Sequence, residues 1–274
     1  MTKLFLHFLL FIAYSLLSCN NSETRQISET SSGAKDSASD KVFQIDRAKL
    51  TTDYMTWYNY AYYNVRLSHD FIGLDTDSTI INKAAFLNKL MEGKLVALKT
   101  RMSQGKPVYK LYELNSKEEN YKSTIKQMAE IEMAHFKMEG NELPTYNFTD
   151  LNGKTYDNNS TKGKLLVVKC WFIACVACVK EFPELNKLVE ENKDREDILF
   201  VSLAMDPSQN LVNFLKTKEF KYAVIPETTN FMVDEMHINM FPTHLLIDRN
   251  GKIVKVVNGI EDLIPFLNKE KLKT

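Results

Sequence analysis

Two cysteines separated by two residues, Cys175-Val176-Ala177-Cys178, stand where an apolar run gives way to an amphipathic one. Lys164 to Phe172 (KLLVVKCWF) reads as a buried strand, and Val179 to Asn192 (VKEFPELNKLVEEN) as a helix with one apolar face. Thiols at this spacing can close into a small disulfide ring, and opening or closing that ring moves two electrons. The first turn of a helix leaves backbone N–H groups unpaired and carries the positive end of the helix dipole, so a thiolate is favoured there. Cys175 is therefore expected to be the attacking nucleophile, and Cys178, one turn further in, the thiol that resolves the mixed disulfide. Zinc sites use the same spacing but need about four ligands, usually a second such pair or a paired His element. The remaining cysteines, Cys19 and Cys170, make no second pair and no two His lie at ligand spacing, so no metal is expected.

The chain that carries this pair has 274 residues, 44% of them hydrophobic, and 35 basic side chains against 35 acidic ones. That composition is one of an ordinary globular protein of one or two domains. Zero net charge, with no basic cluster interleaved with aromatics, argues against a nucleic acid partner. At the start, Lys3 precedes an apolar run from Leu4 to Leu17, shorter than the about 20 residues that cross a bilayer, and residues 1–18 read as a signal peptide. It ends in Leu16-Leu17-Ser18-Cys19, which resembles the lipobox of bacterial lipoproteins. That resemblance implies a lipid on Cys19, a membrane as partner, and a place in the cell envelope facing the periplasm; simple secretion is the alternative. Residues 19–42, rich in Ser, Thr, Asn, Asp and Glu, read as a disordered tether. Disulfides persist in exported proteins. Cys170, inside the apolar strand, reads as a small core residue.

Residues 43–140 read as a smaller, mostly helical α+β region. Tyr54, Trp57, Tyr58, Ala61, Tyr62 and Val65 recur at helical spacing behind Asp53, a candidate cap. Lys83 to Glu92 is a second helix closed by Gly93, and Leu95–Arg101 with Val108–Leu114 a hairpin across Ser103-Gln104-Gly105-Lys106. Ser116 and Glu119 form a capping box for a long helix to Met138. The isolated His69 and His135 read as structural. From residue 143 to 271 helices alternate with apolar strands, which indicates a layered α/β domain. A hairpin turning at Asn152-Gly153 precedes the central strand. Strands at Ile198–Ala204, Tyr222–Ile225, His244–Asp248 and Lys252–Val257 follow, with helices at Ser208–Lys218, Phe231–Met236 and Glu261–Glu270.

Residues 143–271 resemble the thioredoxin fold, most closely the membrane-anchored thiol-disulfide oxidoreductases of TlpA/ResA type. Four features carry the resemblance: Trp171 four residues before the first Cys, Pro183 five after the second, Phe241-Pro242-Thr243 before an apolar strand, and an extra helix and strand between Asp206 and Pro226. The resemblance implies a central mixed sheet flanked by helices, a redox disulfide Cys175–Cys178 and no cofactor. It also implies a cis bond before Pro242 and a substrate surface built from Trp171, Phe241, Pro242 and Thr243. Such a loop leaves main chain free to pair with an extended substrate.

Departures from the family pattern are as informative. Thioredoxins carry a buried acid six residues before the first Cys, where this chain has Lys169. Glu181, three residues after Cys178 on the same helix, is the candidate proton acceptor in its place, provided burial raises its pKa toward working pH; a solvated Glu is the alternative. Ala174 and Val176-Ala177 replace residues that tune the redox couple in relatives, so its potential is left open. The leading reading is an enzyme that exchanges disulfides with exported proteins, as a reductase supplied by an upstream membrane thiol donor. A thiol peroxidase would place a threonine before the reactive Cys where Phe172 stands. A copper carrier would use the two thiols, with His244 as a further donor.

Overall fold

The computed structural model describes Leu50 and residues 53–114 and 119–273. The lipobox with Cys19, the tether and Ser116 of the capping box lie outside the described residues. Among those described, no helix is long and apolar enough to cross a membrane.

Among the described residues, the first part of the chain builds a four-stranded sheet and the helices named below. Helix α1 (Tyr54–Asn64) begins where the Asp53 carboxylate accepts the Thr56 N–H at 2.7 Å, capping a donor the helix cannot satisfy itself. Strands β1 (Ile72–Leu74) and β2 (Ile80–Ile81) follow, then helix α2 (Lys83–Met91), capped by Asn82. Gly93 ends it at φ +69°, with the Lys122 carbonyl 3.0 Å from where a Cβ would sit, so both backbone and space require glycine. The hairpin β3 (Leu95–Ser103) and β4 (Lys106–Glu113) turns through Gln104 and Gly105, both at positive φ. Both strands run two residues closer to the turn than expected, and the second ends one residue earlier, at Glu113. Strand order is β2-β1-β4-β3, with β1 parallel to β4. Strands β1 and β2 were not anticipated, being two or three residues long around a polar turn. Helix α3 (Glu119–Met138) closes this layer, packing Tyr121, Ile125, Ala129 and Met133 into a core with Trp57, Phe86 and Tyr109.

After the short hairpin β5 (Asn147–Thr149) and β6 (Thr155–Asp157) comes strand β7 (Leu165–Trp171), buried at every position. Such unbroken burial belongs to a strand covered on both faces. Helices α4 (Val176–Lys180) and α5 (Phe182–Glu191) follow, then β8 (Ile198–Ala204), α6 (Ser208–Leu215) and β9 (Ala223–Ile225). A single π-turn, Phe231–Glu235, stands where a short helix was expected. Strands β10 (Thr243–Ile247) and β11 (Ile253–Val257) and helix α7 (Ile260–Glu270) complete the chain. The sheet order is β11-β10-β7-β8-β9, with β7 parallel to β8 and antiparallel to β10. This is the thioredoxin-like arrangement, a mixed central sheet flanked by helices. One face of β7, with Leu165, Val167 and Trp171, packs under α4, α5 and α7; the other, with Leu166, Val168 and Cys170, packs against the π-turn and the β5–β6 hairpin.

One expected helix is two. The run expected as one helix from Val179 breaks at Glu181, which ends α4 and precedes α5. Pro183 explains the break: it has no N–H to offer and its ring crowds the carbonyl four residues back, so it is accommodated only in the first turn of a new helix.

Candidate active site

Strand β7 ends at Trp171, and the next three residues form an elbow that delivers the chain to Cys175. The elbow is tied at both ends. The Cys175 N–H donates to the Phe172 carbonyl at 3.1 Å, and the Ile173 N–H donates to Asp206 Oδ2 at 2.8 Å from the loop after β8. Cys175 is the N-cap of α4, and the Cys178 N–H donates to its Sγ at 3.2 Å. This is the contact that stabilises sulfur-centred negative charge at a helix start. Cys175 and Cys178 are joined as a disulfide. Cys175 is 8% exposed and Cys178 fully buried, while Ala174, Val176 and Ala177 are exposed around them. The outer sulfur is thus reached through a small apolar rim.

The Phe241–Pro242 bond is cis. Thr243 pairs with Cys170 across β10 and β7, which carries Pro242 to the level of Trp171, at the end of β7 from which the elbow departs. Phe241 meets Phe172 of the elbow edge to face at 5.5 Å. Asn258 clamps the loop, donating to the Pro242 carbonyl at 2.9 Å and to Thr243 Oγ1 at 3.1 Å. The Thr243 side chain is buried and donates to the Met240 carbonyl, so this residue can meet a partner only through its backbone.

Trp171 does not line a substrate surface: it is fully buried, edge to face with Phe182 at 5.0 Å and Phe220 at 5.7 Å. A large ring at the last position of a doubly covered strand has no route to solvent. Glu181 is not a carboxyl raised toward neutrality. Burial by itself would raise it, but hydrogen bonds from His244 and Lys169, together with the Lys169 charge, outweigh burial and hold its pKa well below the ordinary carboxylate range. Its Oε2 accepts from Lys169 Nζ and lies 3.0 Å from His244 Nε2, and its Oε1 accepts the Ile260 N–H of α7 at 3.1 Å. Lys169 and His244 are fully buried, and burial lowers the pKa of each. His244, neutral for that reason, serves Glu181 with a hydrogen bond; the positive charge beside it comes from Lys169.

Residues 138–268 match the protein-family model described as Redoxin. Over 121 residues, 44% of this chain and 69% of the relative, the sequence is 31% identical to thiol-disulfide oxidoreductase ResA of a Bacillus cereus strain. It is also 31% identical to the protein of the same name from Bacillus subtilis, over 122 residues and 68% of that protein. The chain belongs to the ResA-type thiol-disulfide oxidoreductases. Among solved structures, the thioredoxin domain of a thiol-disulfide oxidoreductase from Bacteroides vulgatus is 26% identical, with 48% of this chain and 96% of that one aligned at a TM-score of 0.43.

In this ResA-type centre, three residues that matter to the geometry had weak signals in sequence. Asp206 and Asn258 carry none, since a polar residue after a strand is commonplace. His244 was readable as part of an apolar strand but not as the partner of Glu181, because 63 residues separate them. It lies inside β10 with its Nε2 on Glu181. Cys170 is buried, and burial pushes its thiol up to about 12, which keeps it protonated and inert.

Proposed function

We propose that the Cys175–Cys178 pair exchanges its dithiol and disulfide forms with disulfides of exported proteins, as a reductase. The observation that carries this is one sulfur at the mouth of a helix, bonded to a buried one a turn below, beside a cis-proline loop that Asn258 fixes in place. In the reduced state Cys175 thiolate attacks a substrate disulfide and releases the first substrate thiol. Cys178 then attacks Cys175, closing the ring and releasing the second thiol, so two electrons pass to the substrate. Phe241, Pro242 and the Thr243 backbone position the substrate chain by main-chain pairing. An upstream membrane thiol donor re-reduces the pair, and a lipid on Cys19 keeps the protein at the membrane, facing the periplasm. Membership of the family supports the exchange chemistry.

Equilibrating the purified protein with graded dithiothreitol buffers, and reading the fraction of Cys175–Cys178 oxidised, tests the direction. A potential close to that of thioredoxin, about −270 mV, is expected for a reductase; one near the about −120 mV of a strong oxidant overturns the reductase reading. Cys175→Ser is expected to abolish reduction of a model protein disulfide such as insulin. Full turnover by that variant sinks the exchange mechanism.

A further inference from the structure

For the ring to close, Cys178 has to lose a proton before it attacks. Glu181 is badly suited to take it. Both of its oxygens already accept hydrogen bonds, from Lys169, His244 and the Ile260 N–H. His244 is suited. An ionised carboxylate 3.0 Å from Nε2 requires that nitrogen to be the donor, and a neutral ring has only one N–H, so Nδ1 is left as a bare acceptor. Nδ1 is buried and has no hydrogen-bond partner. A buried acceptor without a partner is costly and requires an explanation. The oxidised state supplies one: with the disulfide closed, Cys178 carries no proton to donate.

Topology puts the two residues in one layer. His244 pairs with Lys169 across β10 and β7, and side chains two apart on a strand share a face, so His244 lies on the face of Leu246. Leu246 belongs to the same buried core as Trp171, Cys175 and Cys178. The arrangement of thiol, imidazole and carboxylate follows the logic of a nucleophile, a base and a group that orients the base.

We propose that His244 Nδ1 accepts the proton of Cys178 in the resolving step, directly or through one water, with Glu181 fixing the tautomer and Lys169 keeping Glu181 ionised. This rests on the exchange reading above. The proton moves from Cys178 Sγ to Nδ1, the Cys178 thiolate forms a bond to Cys175 Sγ, and the bond from Cys175 to the substrate sulfur breaks. The departing substrate thiolate takes up the proton from the imidazolium, leaving His244 neutral. The charges facing the ring are Glu181 at the α4–α5 junction, Lys169 on β7 and Glu261 on α7.

Rapid mixing of the reduced protein with 5,5′-dithiobis(2-nitrobenzoate) separates the steps. The first thionitrobenzoate is released when Cys175 attacks, the second when Cys178 displaces it. His244→Leu removes the base; His244→Gln removes the base but keeps an amide donor for Glu181. Each is expected to lower the ratio of the second rate to the first by about tenfold or more at pH 7, the scale of general-base assistance. Each should also leave the second phase rising steadily with hydroxide, without the levelling a resident base confers. Should His244→Leu fail to fold, His244→Gln decides. A wild-type ratio in either folded variant overturns the proposal and leaves His244 as a support for Glu181. Absence of both phases in the reduced wild-type protein would instead sink the exchange reading itself.

Discussion

Lys169 interrupts an otherwise apolar strand, and a fully buried ammonium survives only with a counter-charge and hydrogen bonds. Glu181 supplies both, so the carboxylate is needed for stability before any chemistry is considered. Its pKa falls from an ordinary 4.5 to about 2 in the folded protein. A depressed acid stabilises the fold above its unfolded pKa and loses that contribution as pH falls through the folded one. Glu181→Gln mimics the protonated acid. At pH 7 it is expected to be less stable than wild type by about 3 kcal/mol, at roughly 1.4 kcal/mol per pKa unit, and the gap should close between about pH 4.5 and pH 2. Urea denaturation of both proteins across that range checks it; a gap independent of pH would mean that Glu181 acts by packing alone. Of this network the sequence displays Lys169 and Glu181, but not that they meet. Lys169 is visible as a misfit in KLLVVKCWF, but nothing in the pattern says whether a misfit charge faces a partner or a ligand. Its partners lie 12 and, by way of Glu181, a further 63 residues away.

The strand-to-helix elbow is the element on which the sulfurs depend. Its ends were legible: an apolar run too continuous for a surface strand, then a change of period at the CxxC. The break in the helix beyond it was half legible, because Pro183 announces a disturbance but leaves open whether the axis bends or two helices form. The tie to the loop after β8 was not legible, since Asp206 reaches Ile173 across 33 residues. Asp206→Ala removes the acceptor of the Ile173 N–H and leaves a half-buried donor unpaired. It is expected to cost about 1.5–3 kcal/mol, the range for a hydrogen bond to a charged group. Hydrogen exchange should localise the effect, with protection lost at Ile173 before it is lost in β7 or β8. Uniform loss across the sheet would show that the elbow does not open on its own.

At the scale of the molecule, the first sheet and its helices pack against the edge strand and last helix of the second. Residues 140–143 run along β11, with the Gly140 N–H on the Ile253 carbonyl at 2.7 Å and the Ile253 N–H on the Asn141 carbonyl at 2.9 Å, so this stretch covers a sheet edge that would otherwise be open. Arg66 and His69 reach Asp262 of α7 at 3.5 Å and 3.3 Å. The most buried link is Lys255 Nζ to Glu139 Oε1 at 2.8 Å, with the ammonium also 4.7 Å from the Phe266 ring. No sequence pattern foretells this docking, because its charges are ordinary surface types until the two layers meet. The two ends of the ion pair differ in burial: the Lys255 side chain is 4% exposed and that of Glu139 18%. Removing the carboxylate strands the deeper charge, whereas removing the ammonium leaves a carboxylate that water can reach. Glu139→Ala is therefore expected to destabilise by about 3 kcal/mol, the low end for breaking a buried pair because the Phe266 face retains part of the attraction. Lys255→Met should cost about 1 kcal/mol or less, since its chain still fills the site, and adding it to Glu139→Ala should recover most of the loss. Equal costs for the two single variants in chemical denaturation would show that the pair is solvated as a surface bridge is, and that the contact along β11 holds the layers together without it.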